Sequence, residues 1–168
     1  ENGTPGYTIS APMKKLGWRA SDTRELAFEG ATVPEENLLG PRGGGFVVAQ
    51  TRPGGRRIHH AMRTSGRIQR IFDMMCERAI SRTTQGELLS RKQMVQEMIA
   101  DSWIEMEMFR LLVLRTAWRI DRYNDYKVVR KDISAVKAAM PGVYRNVATR
   151  ALQIHGSLGA LWEMPFGK

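Results

Sequence analysis

One cysteine, Cys76, in 168 residues excludes a disulfide framework and points to a reducing compartment. It lies in an apolar helical pattern, so a buried, inert thiol is expected rather than a nucleophile. No run of about 18 apolar residues occurs, so no membrane-spanning helix is expected, and no signal-peptide pattern opens the chain. Acidic side chains are scarce: 17 Asp and Glu stand against 26 Lys and Arg, a net charge of +9. That imbalance implies an anionic partner, such as nucleic acid or a phosphate-rich cofactor, or an acidic portion elsewhere in the protein. Three histidines make a metal site unexpected. His59 and His60 are adjacent and would point about 100° apart on a helix, and His155 has no partner at ligand spacing.

What is present is globular. Hydrophobic residues make up 42% and charged residues 26% of the chain, enough for a real core and outside the disordered range. Glu1 and the abrupt ending at Trp162-Glu163-Met164-Pro165-Phe166-Gly167-Lys168 suggest a piece of a longer protein. Residues 1–45 read as strand and turn. Tyr7-Thr8-Ile9 and Glu25-Leu26-Ala27-Phe28 are extended segments, with Pro12, Gly17, Gly30, Pro34, Gly40 and Pro41 as punctuation. Three or four strands can be drawn, too few to close a sandwich or barrel.

From Phe46 onward the periodicity becomes helical. A first helix begins near Phe46, is loosened at Pro53-Gly54-Gly55 and runs over residues 56–82. A second, marked by Met94, Met98, Met108, Leu111, Leu112, Leu114 and Trp118, covers residues 90–122. Asn124-Asp125 breaks the pattern. A third follows with Ile133, Val136, Met140, Val143, Val147, Ala151 and Ile154 on one face, kinked at Pro141 and ended by Gly156 and Gly159. The expected fold is mainly α: an incomplete antiparallel helical bundle, residues 46–168, with one face still to be covered, preceded by part of an antiparallel β-domain, residues 1–45.

The stretch from Ser81 to Gln93 is the polar corner between the first two helices. Ser90 and Gln93 read as a capping box that starts the second. Arg82 offers a planar fork of donors, Thr84 a hydroxyl and Gln93 an amide at a helix N-terminus. Together they suit an anionic, hydrogen-bonding ligand such as a dinucleotide pyrophosphate. Arg56, Arg57, Arg63, Arg67 and Arg70 on the first helix could instead track nucleic-acid phosphates. No aromatics are interleaved with them, however, and the basic residues read as spread over all faces.

Four motifs in order carry a resemblance. Lys14, Leu16-Gly17-Trp18-Arg19-Ala20-Ser21-Asp22-Thr23-Arg24, Phe28-Glu29 and Val33-Pro34-Glu35-Glu36-Asn37-Leu38-Leu39-Gly40 resemble the end of the middle β-domain of acyl-CoA dehydrogenases. Gly43-Gly44-Gly45-Phe46 resembles the turn into that family's C-terminal helical domain. Arg82-Thr83-Thr84-Gln85-Gly86 with Leu88 and Gln93 resembles its R-x-x-F-G-x-x-L-x-x-x-Q segment. Gln153-Ile154-His155-Gly156-Ser157-Leu158-Gly159 resembles Q-x-x-G-G-x-G. Within the family, Arg57-Ile58-His59-His60-Ala61-Met62-Arg63 is most similar to members fused to kinase-like domains in animals.

The resemblance implies a flavoprotein of lipid metabolism that desaturates an acyl-CoA thioester between its α and β carbons. A glutamate takes the α-proton and FAD takes the β-hydride, while hydrogen bonds to the thioester oxygen steady the enolate. It further implies electron transfer flavoprotein as electron acceptor and a homo-oligomer, dimer or tetramer. A cytoplasmic location would follow in a bacterium, or the mitochondrial matrix in a eukaryote. By resemblance, Arg82 and Thr84 reach a neighbouring subunit's FAD at its pyrophosphate, and Gln93 makes a polar contact to the same cofactor. Gln153, Gly156 and Ser157 form a loop at the adenine end, and Arg57 lines the substrate channel. Ser157 stands where the family has a second glycine, and Gln85 where it has an aromatic. The catalytic base of most members would fall beyond Lys168. A minority carry it at the position of Arg56, and an arginine cannot act as a base. Glu163 is a poor match, so no catalytic residue is assigned. The rival readings are a non-catalytic structural homologue and a basic module that binds nucleic acid.

Overall fold

A computed structural model describes residues 2–15, 21–51, 53–161 and 163–167. Residues 16–20, part of the first motif quoted above, lie outside the described residues, as do Trp162 and Lys168. Contacts divide the chain into two units, residues 1–49 and residues 50–167.

The first unit is held by local contacts. Strand β1 (Tyr7–Ile9) pairs antiparallel with β2 (Leu26–Phe28), Thr8 opposite Ala27. The Tyr7 and Phe28 rings stack with centroids 5.1 Å apart. Gly6, at φ 75°, lies against the Glu29 carbonyl oxygen so closely that no Cβ fits there. These are the only strands among the described residues of this unit, where three or four were expected. Beyond β2 the chain enters a short 3-10 turn at Glu35–Asn37 behind Pro34, which breaks any extended run. Helix α1 (Gly45–Thr51) follows.

The second unit is built on three long helices, α2 (Pro53–Ser81), α3 (Gln93–Tyr123) and α4 (Tyr126–His155), each packed on the other two. Pro53 occupies the first helical position of α2, where its missing N–H costs nothing, so the glycine pair after it lies inside the helix. Spacing of three to four residues places Ile58, Ala61, Ile68, Ile71, Met75 and Ala79 of α2 in the core. Met106, Phe109 and Val113 of α3 and Ile133, Val136, Val147 and Ala151 of α4 complete it. Buried hydroxyls are satisfied within their own helices: Ser102 donates to the Met98 carbonyl and Thr116 to the Leu112 carbonyl, both at 2.7 Å.

Asn124, left-handed at φ 45°, closes α3, and the Asp125 carboxylate accepts from the Lys127 amide to open α4. Helix α4 continues on both sides of Pro141. Arg150 pairs with Asp101 and Glu105, and Arg115 and Arg119 with Asp132, which fixes α3 and α4 antiparallel. On its outer side α3 exposes Trp103, Ile104, Met108, Leu111, Leu114 and Trp118, so this helix is apolar on two opposite faces. Cys76 is half-buried rather than buried. Desolvation, and then the Asp73 carboxylate, raises its pKa and keeps it a thiol.

Candidate functional site

The polar corner between α2 and α3 folds into a small β-hairpin. Strand β3 (Thr83–Thr84) pairs antiparallel with β4 (Glu87–Leu88), and the Leu89 amide donates to the Arg82 carbonyl at 2.9 Å to close its base. Gln85 and Gly86 make the turn with φ 51° and 81°, the type I′ signature that matches the twist of a two-residue hairpin. A 3-10 turn, Leu89–Arg91, leads into α3.

The expected capping box does not form. Ser90 sits inside that 3-10 turn and Lys92 is the residue that caps α3, without a side-chain hydrogen bond. Gln93 is therefore the first helical residue rather than the third, and cannot reach back as a box partner. Ser90 is used differently: its carbonyl accepts from the Gln96 side-chain amide at 3.0 Å.

Lys92 ties the corner together. Its ammonium lies 2.6 Å from Glu87 Oε1 and 3.3 Å from Gln85 Oε1. Its amide donates to the Leu89 carbonyl, and its carbonyl accepts from the Val95 and Gln96 amides. The Lys92 hydrogen bond, and then its charge, holds the Glu87 carboxyl below the usual carboxylate range. A depressed carboxyl stabilises the fold above its unfolded pKa, and that contribution is lost as pH falls through the folded value. Arg82, by contrast, is exposed, and its guanidinium has no partner among the described residues. Thr84 is half-buried and Gln93 exposed.

The other predicted loop ends α4. Gly156 leaves the helix at φ 64°, ψ −139°, its amide donating to the Gln153 and Leu152 carbonyls, and a 3-10 turn runs from Gly156 to Ala160. Gln153, Gly156 and Ser157 are exposed. His155 is buried, with Nδ1 2.8 Å from the Ala151 carbonyl oxygen and its ring edge-on to Phe166 at 4.8 Å. This is a packing arrangement, and among the described residues no group of three or more His, Cys, Asp or Glu comes together.

The hairpin turns the chain back from α2 into α3, and the α3–α4 ion pairs set α4 antiparallel to α3. Helices α2 and α4 therefore run parallel, and the two predicted loops, which follow their C-terminal ends, lie toward one end of the bundle. Arg57 is half-buried near the start of α2, at the opposite end. Arg56, Arg63, Arg67 and Arg70 are exposed. At 100° per residue these four fall within about 60° of one another, with Arg57 off that strip. Burial, and then Lys137, Arg63, Arg67 and His59, lowers the pKa of His60 beside them. Glu163 is exposed in the turn before Pro165.

The corner of this helical bundle presents a guanidinium without an ion-pair partner among the described residues beside exposed amide donors, groups that pair with anions. Residues 43–168 match the family model described as acyl-CoA dehydrogenase, C-terminal domain, and the chain belongs to the acyl-CoA dehydrogenase family. It is 37% identical to the probable acyl-CoA dehydrogenase FadE2 of Mycobacterium tuberculosis, over 98% of this chain and 40% of that protein. It is 36% identical to rat acyl-CoA dehydrogenase family member 11, over 96% and 21% respectively. Among solved structures, butyryl-CoA dehydrogenase from Megasphaera elsdenii superposes with a TM-score of 0.86 at 32% identity, over 99% of this chain and 43% of that one. The chain thus spans two-fifths or less of the curated relatives it matches.

Proposed function

We propose that this chain is the C-terminal helical portion, residues 46–168, and the end of the middle β-domain, residues 1–45, of a flavin-dependent acyl-CoA dehydrogenase, and that its corner reaches across a subunit boundary to an FAD seated mainly in a neighbouring copy. The observation that carries this reading is Arg82: a guanidinium left without an internal partner on a hairpin that is otherwise internally tied. When bound, FAD supplies acceptance of the hydride that leaves the acyl β-carbon. Arg82 offsets pyrophosphate charge with two parallel donors, and the Thr84 hydroxyl and Gln93 amide add neutral hydrogen bonds. Gln153, Gly156 and Ser157 supply polar and small groups at the same end of the bundle, where a nucleotide can approach the backbone. Arg57 lines the acyl-CoA channel. The base is not assigned to a residue of this chain; Arg56 cannot serve, and Glu163 faces solvent. Electron transfer flavoprotein and a second copy of the chain are the partners this reading implies.

The full-length protein should be yellow and its flavin absorbance should bleach on addition of acyl-CoA. Arg82→Ala removes a charge-assisted contact worth about 1.5–3 kcal/mol, so FAD should dissociate on dialysis. Unchanged flavin content would overturn the assignment. A colourless protein retained on DNA in a salt-dependent way would favour instead the basic strip of α2 as a nucleic-acid surface. Yellow protein that acyl-CoA does not bleach would favour the non-catalytic homologue.

A further inference from the structure

We propose that Lys92 is the positioning residue of the corner: by gripping the Glu87 carboxylate and the Gln85 side-chain oxygen together it locks the β3–β4 hairpin in the form that presents Arg82 and Thr84 to a nucleotide phosphate. This rests on the flavin reading above.

The hairpin is too slight to hold itself. Each strand has two residues, and an isolated two-stranded ribbon is marginal in water even when longer. Its first turn residue is Gln85 at φ 51°, a conformation that costs any side-chain-bearing residue other than Asn or Asp. Some contact outside the strands must offset this, and Lys92 is placed to do so. It touches the turn through Gln85, the returning strand through Glu87, the 3-10 turn through its amide and the first turn of α3 through its carbonyl. One residue thereby couples the hairpin to the rigid bundle.

The same contacts argue that Lys92 is not itself a phosphate ligand. Its charge is already matched by Glu87 at 2.6 Å, while Arg82 has no acidic neighbour among the described residues. The corner therefore separates two tasks: an internal pair that fixes shape, and a free guanidinium that meets the ligand. Preorganisation of this kind strengthens binding by lowering the ordering cost rather than by adding a contact.

The test is titration of FAD into the apo form of the full-length protein, with amide hydrogen exchange of residues 83–88 read in parallel. Lys92→Met and Glu87→Gln should each weaken FAD about twofold to fivefold, the scale of one exposed ion pair. The double variant should be no worse than the weaker single one, because both break one clamp. In flavin-free protein each variant should speed exchange at Thr84 and Glu87. The inference is overturned if Lys92→Met weakens FAD while Glu87→Gln leaves it unchanged or tightens it, since that pattern marks a direct lysine–phosphate contact. Exchange at residues 83–88 that matches the parent in both variants overturns it equally. If Arg82→Ala leaves FAD affinity intact, the flavin reading falls, and the flavin-free exchange data still decide whether Lys92 holds the hairpin.

Discussion

Two loops sit at the same end of the bundle and are stabilised by opposite means. The hairpin after α2 is shaped by side chains at the surface: Lys92, Glu87 and Gln85, over a turn that tolerates adjustment. The loop after α4 is shaped by backbone packed against backbone. Gly156 takes a φ of 64°, and Gly159 is buried against the last turn of the helix. The first can be tuned by charge and turn chemistry. The second resists substitution at its two glycines, Gly156 by backbone conformation and Gly159 by close contact with the end of α4. A binding end built this way has one rigid wall and one adjustable one.

The largest effect is expected at the rigid wall. A Cβ on Gly159 would lie 2.8 Å from the Leu152 carbonyl oxygen and 3.2 Å from His155 Cβ, and neither neighbour can move without disturbing the end of α4. Gly159→Ala should destabilise by about 3 kcal/mol, the upper range for overpacking a closed site, seen as a fall in Tm. Gly156→Ala should cost less, about 2 kcal/mol, because nothing lies within 4 Å of the added methyl and only the backbone conformation, φ 64° with ψ −139°, resists. If the two substitutions prove equal, conformation rather than contact governs this loop, and the contrast between the two walls narrows.

The same contrast explains what could be read in advance. Apolar spacing gave α2, α3 and α4 because each buries a continuous stripe. Their ends fell within about three residues, since Asn124-Asp125 and Gly156 are strong local punctuation. The acyl-CoA dehydrogenase family was legible from motifs spread along the chain. The hairpin was not, for a physical reason: a type I′ turn announces itself through Asn-Gly or Asp-Gly, and here the first position holds Gln85. Without the hairpin, Ser90 looked like a helix cap, and Lys92 and Glu87, five residues apart, gave no sign of pairing across a turn. The β1–β2 pair was visible as alternation, but no further strand forms beside it among the described residues, because alternation says nothing about whether a partner strand exists.

The smallest expected effect lies at the adjustable wall and has the opposite sign. Gln85→Asn places the residue type that best tolerates left-handed backbone at a position with φ 51°. It should stabilise the hairpin by about 0.5 kcal/mol, part of the left-handed penalty borne by glutamine. Against this, the shorter side chain forfeits the 3.3 Å contact from Lys92, which is exposed, long and therefore weak. The turn term should win. A global melt would miss the change, because the hairpin can open without unfolding the bundle; slower amide exchange at residues 83–88 is the measurement that resolves it. Faster exchange would mean that the Lys92–Gln85 contact outweighs turn strain, and that the tuning of this wall resides in the clamp rather than in the backbone of the turn.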